Sequence, residues 1–275
     1  MTPPISQLQI SVEGVAKQLS DLNPNKATGP DGLHPRLLKS VSTQIAPVLQ
    51  SIFTQSLTTG DVPEDWRSAN ISPIFKKGDK SLPSNYRPVS LTSVCSKVLE
   101  HIIHSHMMKH LDKYNILSPA QHGFRKGLSC ESQLLVTTHD LTSALDQGKQ
   151  VDAIVLDFSK AFDMVPHNRL LSKLQHYGIS GNLLSWLQAF LTQRTQAVVL
   201  DGESSKPTKV LSGVPQGTVL GPLLFLLYIN DLPDIVGSNV RLFADDCLLY
   251  RIIEHPSDVQ GLQADLDALT HWQNQ

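Results

Sequence analysis

Two apolar segments of this chain run into acid, and that constrains it more than any other feature. Residues 151–158 read VDAIVLDF, with the run Ala153-Ile154-Val155-Leu156 leading straight to Asp157. Such a run predicts a buried strand. Residues 242–250 read LFADDCLLY, which predicts a hairpin of strands 240–243 and 247–250 with Asp245-Asp246 at its tip. A carboxylate at the end of a hydrophobic strand costs free energy unless something compensates its charge. Two adjacent carboxylates repel each other and invite a cation. Strand-borne oxygen donors suit Mg²⁺, which prefers carboxylates completed by water and substrate phosphate. Two such ions about 3.5–4 Å apart can clamp the attacking and leaving oxygens of a phosphoryl transfer. Asp245-Asp246 alone reads as a solvated turn, and Asp157 alone as a strand end. Their joint occurrence points to a metal centre.

Around these segments the pattern alternates irregularly. Pro and Gly break residues 1–130 into short elements: a helix over 33–57 bent near Pro47, strands at 71–75 and 87–91, and a helix over 94–111 with Val94, Val98, Ile102 and Ile103 on one face. A helix over 131–145 follows, with Leu134, Leu135, Leu141 and Leu145 as its apolar stripe. Beyond residue 151 come helices at 170–177 and 183–191, strands at 196–200 and 208–211, and an apolar helix at 222–231. The last helix opens on a capping box, Ser257 with Gln260, and is lined by Val259, Leu262, Leu266 and Leu269. This mixture, without βα alternation, defines the α+β class.

Composition bounds the rest. The chain has 275 residues, 40% of them hydrophobic, enough for one large or two small domains with a buried core. No apolar stretch approaches the roughly 18 residues of a membrane span, and residues 1–10 lack the blocks of a signal peptide. Cys95, Cys130 and Cys247 form no disulfide framework and read as small buried apolar residues of an intracellular protein. The net charge of -2 conceals an asymmetry, with 14 Lys and Arg against 9 Asp and Glu in residues 1–130 and 9 against 16 thereafter. A basic half and an acidic half suit an enzyme that grips polyanions with one and cations with the other; two solvated surfaces give the same count. No Gly or Pro terminates the last helix before Gln275, so the chain is expected to be cut from a larger protein.

The order of blocks resembles that of reverse transcriptases of non-long-terminal-repeat (LINE-type) retrotransposons. VLDFSKAFDMVPH resembles motif A, LSGVPQGTVLGPLLFLLYINDL motif B and LFADDCLLY motif C. NPNKATGPDGLHPRLLK resembles the motif ahead of the fingers, and ISPIFKKGD, SNYRPVSLTSVCSKVLEHII and ILSPAQHGFRKGLSCESQL resemble the finger motifs. The series is collinear from about residue 20 to the end. The resemblance implies an α+β right-hand polymerase: an extension over 1–20, fingers over 21–150, and a palm over 151–275 whose sheet carries the Asp-Asp hairpin and which stops at the start of motif D, without a thumb. The implied activity is RNA-directed DNA synthesis, with two Mg²⁺ ions (Mn²⁺ as substitute) serving transfer of dNTPs to a DNA primer on an RNA template, and no membrane involved.

Residue by residue, the resemblance makes Asp157, Asp245 and Asp246 the metal-binding triad, with the backbone carbonyl of Phe158 as a further ligand. Phe162 falls on the steric-gate position that disfavours a ribose 2′-hydroxyl. Gln216 and Gly217, in Pro215-Gln216-Gly217, stand near the incoming nucleotide. Lys76 and Arg87 grip the triphosphate, with Lys77 as the alternative to Lys76. Asp163 is a supporting carboxylate outside the triad, and Arg125 contacts template or organises the fingers. His101, His104, His106 and His110 have no flanking Glu or Cys to complete a zinc site and read as a polar helix face. Two rivals are open: an RNA-dependent RNA polymerase, against which Phe162 and the FADD sequence speak, and a non-catalytic remnant that folds and binds RNA. A group II intron-type reverse transcriptase is a closer relative that the upstream blocks disfavour.

Overall fold

The computed structural model describes residues 2–274. Along the chain the elements are α1 (Val12–Ser20), α2 (Pro35–Ser40), α3 (Ser42–Thr59), α4 (Glu64–Arg67), β1 (Ser68–Phe75), β2 (Tyr86–Leu91), α5 (Val94–Lys113), α6 (Cys130–Asp146), β3 (Gln150–Asp157), α7 (His167–His176) and α8 (Gly181–Leu191). Then follow β4 (Arg194–Leu200), β5 (Glu203–Ser204), β6 (Thr208–Val210), α9 (Leu220–Ile229), β7 (Asn239–Phe243), β8 (Asp246–Ile253) and α10 (Pro256–Asn274). The chain divides into two compact units. The first takes residues up to Tyr114 together with Phe162–Leu224, the second Asn115–Ala161 together with the residues from Phe225 onward. Each unit thus draws on chain from both sides of residue 150.

In the first unit β1 lies between β2, antiparallel, and β4, parallel, with β5 and β6 both antiparallel to β4. Helices supply the core. Ser11 caps α1 by accepting from the Gly14 N–H, and Val15 and Leu19 on its inner face are fully buried beside α3. Trp186 of α8 stacks on Phe190 at 5.3 Å, and its indole N–H donates to Ser56 Oγ of α3 at 2.9 Å, so its one polar atom is satisfied inside. The bend expected at Pro47 lies instead at Val41, whose backbone (φ -111°, ψ 24°) separates α2 from α3. Pro47 sits in the second turn of α3 and forfeits one backbone bond, while the buried Ala46, Leu49 and Phe53 carry the helix through. On α5, Val94, Val98 and Ile103 are buried as expected and Ile102 half-buried. Two of its histidines depart from a solvated face: the His106 ring N–H donates to Ser6 O and the buried His110 ring N–H to Tyr177 O, both at 2.8 Å.

In the second unit three antiparallel strands run in the order β3-β8-β7. α6 packs against β3 and β7, and α10 against β8. Asp140 of α6 accepts from Arg241 of β7 at 2.5 Å and from the Tyr250 hydroxyl of β8, tying the helix to both hairpin strands. Burial, reinforced by that hydrogen bond to Asp140, pushes the Tyr250 phenol up to about 12.

Two expectations fail here. β3 is not buried: it is an edge strand with alternating exposure, and Val155 is 78% exposed. On α6 the leucine stripe is not the packed face, since Gln133 and Ala144 are buried while Leu134, Leu135 and Leu145 are open. Both failures have one cause, because apolar periodicity identifies an element and a face but not whether anything covers that face. The cap of α10 also differs. It comes from the Asp258 carboxylate, which accepts from the Glu254 and His255 N–H groups at 3.0 and 2.9 Å, rather than from Ser257 with Gln260. Leu262 and Leu269 are buried on that helix, and Val259 is exposed.

Cys95 and Cys247 are buried free thiols, pushed up to about 12 and about 11 chiefly by burial, whereas Cys130 is exposed. Among the described residues no helix is long and apolar enough to cross a membrane.

Candidate functional site

The acidic residues meet at one end of the second unit's sheet. β3 and β8 pair in a register that sets Asp157 directly opposite Asp246, and β7 pairs Phe243 with Asp246 on the other side. The hairpin loop is therefore the two residues Ala244 and Asp245, and Asp246 opens the returning strand. Asp157 and the distant pair Asp245-Asp246 thus share one sheet end. Burial, then the fields of Asp245 and Asp157, push the Asp246 carboxyl above its ordinary 3.8.

Among the described residues, no hydrogen bond or ion pair to a side chain neutralises these three carboxylates. Uncompensated hard oxygen donors are the chemistry that Mg²⁺ accepts. The side chains are not gathered into a cage, however: among the described residues no group of three or more His, Cys, Asp or Glu is close enough to hold a metal ion. The donor set fits the ion in charge and type, and the backbone register brings its strands together, without convergence of the oxygens. Phe158, the expected carbonyl ligand, accepts from the Ala161 N–H at 3.2 Å, which leaves its second lone pair free.

The other expected nucleotide-handling residues lie in the first unit. The loop before α9 is fastened on several sides. Gln216 O accepts from the Ser90 N–H of β2 at 2.8 Å, the Gly213 N–H donates to Val165 O at 2.8 Å, and the Val214 N–H donates to Phe162 O at 2.7 Å. Gln216 Nε2 donates to Asp163 Oδ1 at 3.1 Å, so Asp163 holds the glutamine side chain. Gly217 is left-handed (φ +98°), and a Cβ there would stand 2.7 Å from Ser90 O; no other residue fits without displacing β2.

Arg87 pairs with Ile74 across the β1–β2 hairpin, and the Lys76 N–H donates to Asn85 O at its loop end. The side chains of Lys76, Lys77 and Arg87 are exposed. Arg125, in the second unit, donates to Ser118 O at 3.1 Å and so ties its own loop.

Two residues that sequence reasoning passed over hold these loops. Glu100 of α5 is fully buried, and its carboxylate accepts from the Val219 and Leu220 N–H groups at 2.8 and 3.2 Å, capping the start of α9. Its signal was legible, an acid flanked by Val98, Leu99, Ile102 and Ile103. Gln121 is buried against the Asp-Asp hairpin; a lone Gln in a Gly-containing loop gives no such signal.

The carboxylate-bearing hairpin is thus paired to an acid-tipped strand. Residues 74–275 match the family described as Reverse transcriptase (RNA-dependent DNA polymerase), and the chain belongs to that family. It is similar to the "Probable RNA-directed DNA polymerase from transposon BS" of Drosophila melanogaster, 31% identical over 96% of this chain and 30% of that protein. It is also similar to the "RNA-directed DNA polymerase from mobile element jockey" of the same species, 30% identical over 99% of this chain and 30% of that protein. A third relative is the "Retrovirus-related Pol polyprotein from type-1 retrotransposable element R2" of Popillia japonica, 30% identical over 81% of this chain and 32% of that protein. The expected family, that of non-long-terminal-repeat retrotransposon polymerases, is the one found. The chain spans about 30% of the length of the first two of these relatives.

Proposed function

We propose that this chain carries the nucleotidyl-transfer centre of an RNA-directed DNA polymerase, extending a DNA primer with dNTPs on an RNA template. The register that sets Asp157 opposite Asp246, beside Asp245, carries the reading. Asp157, Asp245 and Asp246, with the Phe158 carbonyl, would hold two Mg²⁺ ions, or Mn²⁺ in their place; the chemistry so supplied is acidification of the primer 3′-hydroxyl and neutralisation of the pyrophosphate leaving group. The protein's own share is positioning and charge, so no side-chain nucleophile is required.

Lys76 and Arg87 bind triphosphate oxygens, Arg87 with a planar fork and Lys76 with a mobile point charge, and their exposed side chains leave them free to do so. Gln216, held by Asp163, and Gly217, held against β2, shape the floor on which the nucleotide base rests. Phe162 excludes a ribose 2′-hydroxyl. In this reading residues 21–150 serve as fingers and 151–275 as palm, following an extension over 1–20.

The test is primer extension on a primed RNA with Mg²⁺. Wild type incorporates dNTPs, and Asp245→Asn loses about a thousandfold or more of that rate. Equal incorporation by both proteins would overturn the assignment, and no incorporation by wild type would favour the non-catalytic remnant. Phe162→Val raises use of ribonucleotides relative to deoxynucleotides by about tenfold or more, as removal of bulk from a pocket wall does. An unchanged ratio removes Phe162 from the gate.

A further inference from the structure

The two aspartates of the hairpin tip are exposed or half-buried and make no side-chain bonds among the described residues, yet the backbone beneath them is held by a single buried side chain. Gln121 is 4% exposed. Its Oε1 accepts from the Ala244 N–H at 2.9 Å and from the Gly123 N–H at 2.7 Å, and its Nε2 donates to Ala244 O at 3.1 Å. One primary amide therefore satisfies both backbone groups of the residue immediately before Asp245-Asp246. Because a peptide unit is planar, fixing the Ala244 carbonyl also fixes the plane that carries the Asp245 N–H.

The contact is close from a second side. A Cβ on Gly123 would stand 2.3 Å from Ala244 N, so the segment around Gln121 approaches the turn as only glycine allows. Ala244 itself is left-handed (φ 54°), a conformation unfavourable for a residue with a Cβ. Something must hold it there, and the bonds to Gln121 do.

Covering the edge of β7 does not explain this side chain. Edge coverage is already made by backbone groups: the Leu242 N–H donates to Ala120 O at 2.9 Å, and the His122 N–H donates to Leu242 O at 3.0 Å. The chemistry of the contact also selects the residue type. An ionised Glu could accept from both N–H groups but could not donate to Ala244 O, and an apolar residue would leave both groups of Ala244 unpaired in a buried place.

We propose that Gln121 is a positioning residue for nucleotidyl transfer: its amide sets the Ala244–Asp245 peptide, and through it the placement of the Asp245 and Asp246 carboxylates opposite Asp157. This rests on the polymerase reading, and its test is separable from the test of that reading.

Gln121→Met keeps length and volume and removes both hydrogen-bonding functions. In the 275-residue chain, hydrogen–deuterium exchange reads the Ala244 amide directly, and electron paramagnetic resonance reads Mn²⁺ affinity without any turnover. Primer extension then separates kcat from KM. The expected result is loss of Ala244 amide protection, Mn²⁺ binding weakened about tenfold or more, and kcat reduced about tenfold or more at a dNTP KM within about twofold, in the range seen when a group orienting metal ligands is removed.

Mn²⁺ affinity and kcat both within about twofold of wild type would overturn the proposal, even with Asp245→Asn inactive and the polymerase reading intact. If Gln121→Met does not fold, wild-type exchange still decides: an Ala244 amide that exchanges as fast as an unstructured one overturns the proposal, and one protected until Gly123→Ala is introduced supports it.

Discussion

Two turns in this molecule solve the same backbone problem by different means. The loop before α9 in the first unit puts a left-handed residue at Gly217, packs it against Ser90 O and fastens the Gln216 side chain to Asp163. The hairpin turn in the second unit puts its left-handed residue at Ala244, holds that backbone through Gln121 and leaves the carboxylates of Asp245 and Asp246 without partners among the described residues. In the first, backbone and side chain are both committed, as suits a surface that must keep its shape. In the second, only the backbone is committed, as the proposed function asks of side chains that would hold a cation. The contrast separates a loop whose side chains are fastened from one whose side chains are not more sharply than burial alone.

The comparison can be broken by substitution. Gly217→Ala meets both a left-handed backbone and a Cβ 2.7 Å from Ser90 O, and is expected to lose about 2–3 kcal/mol in urea unfolding. A loss below about 0.5 kcal/mol would mean that the loop is not pinned.

Asp246→Asn sharpens the other half. A carboxyl whose folded pKa lies above its unfolded value binds its proton more tightly when folded. The stability this contributes is present below the ordinary 3.8 and is lost as pH rises through the raised folded value. Asp246→Asn should therefore be more stable than wild type at pH 7, by less than about 1 kcal/mol because solvent screens an exposed carboxylate. The gain should vanish at pH 3, and should shrink at pH 7 when Mg²⁺ is added to wild type. Thermal melts at the two pH values check this, and a variant less stable at pH 7 contradicts it.

The smallest effect is expected for Ala244→Gly. Relief of the left-handed strain offsets the added freedom of the unfolded chain, so stability should change by no more than about 0.5 kcal/mol. A change as large as that of Gly217→Ala would erase the distinction between the two turns.

Much of the site was legible because its signals are local. The hairpin of β7 and β8, the strand ending at Asp157 and the strands that became β1 and β2 follow from apolar runs punctuated by turn residues. The leucines of α6 and the face of β3 were misread for the opposite reason. Leu134, Leu135 and Val155 have the pattern of a core, and nothing in their own segments says whether another element covers them. Glu100 was within reach of sequence reasoning, since a charge among α5's apolar residues demands a partner. Gln121 was not, because an amide carries no charge and can be satisfied by water as readily as by protein.

The sequence by itself determined which residues are acidic, that they end apolar strands, and that the chain resembles a polymerase family, because composition and short-range periodicity act within a few residues of each position. Only the tertiary structure decided that Asp157 stands opposite Asp246 and that Gln121 reaches Ala244 across 123 residues of chain. Strand register and hydrogen-bond direction are set by the one arrangement that satisfies every buried backbone group at once, a condition on the whole unit rather than on any segment of it.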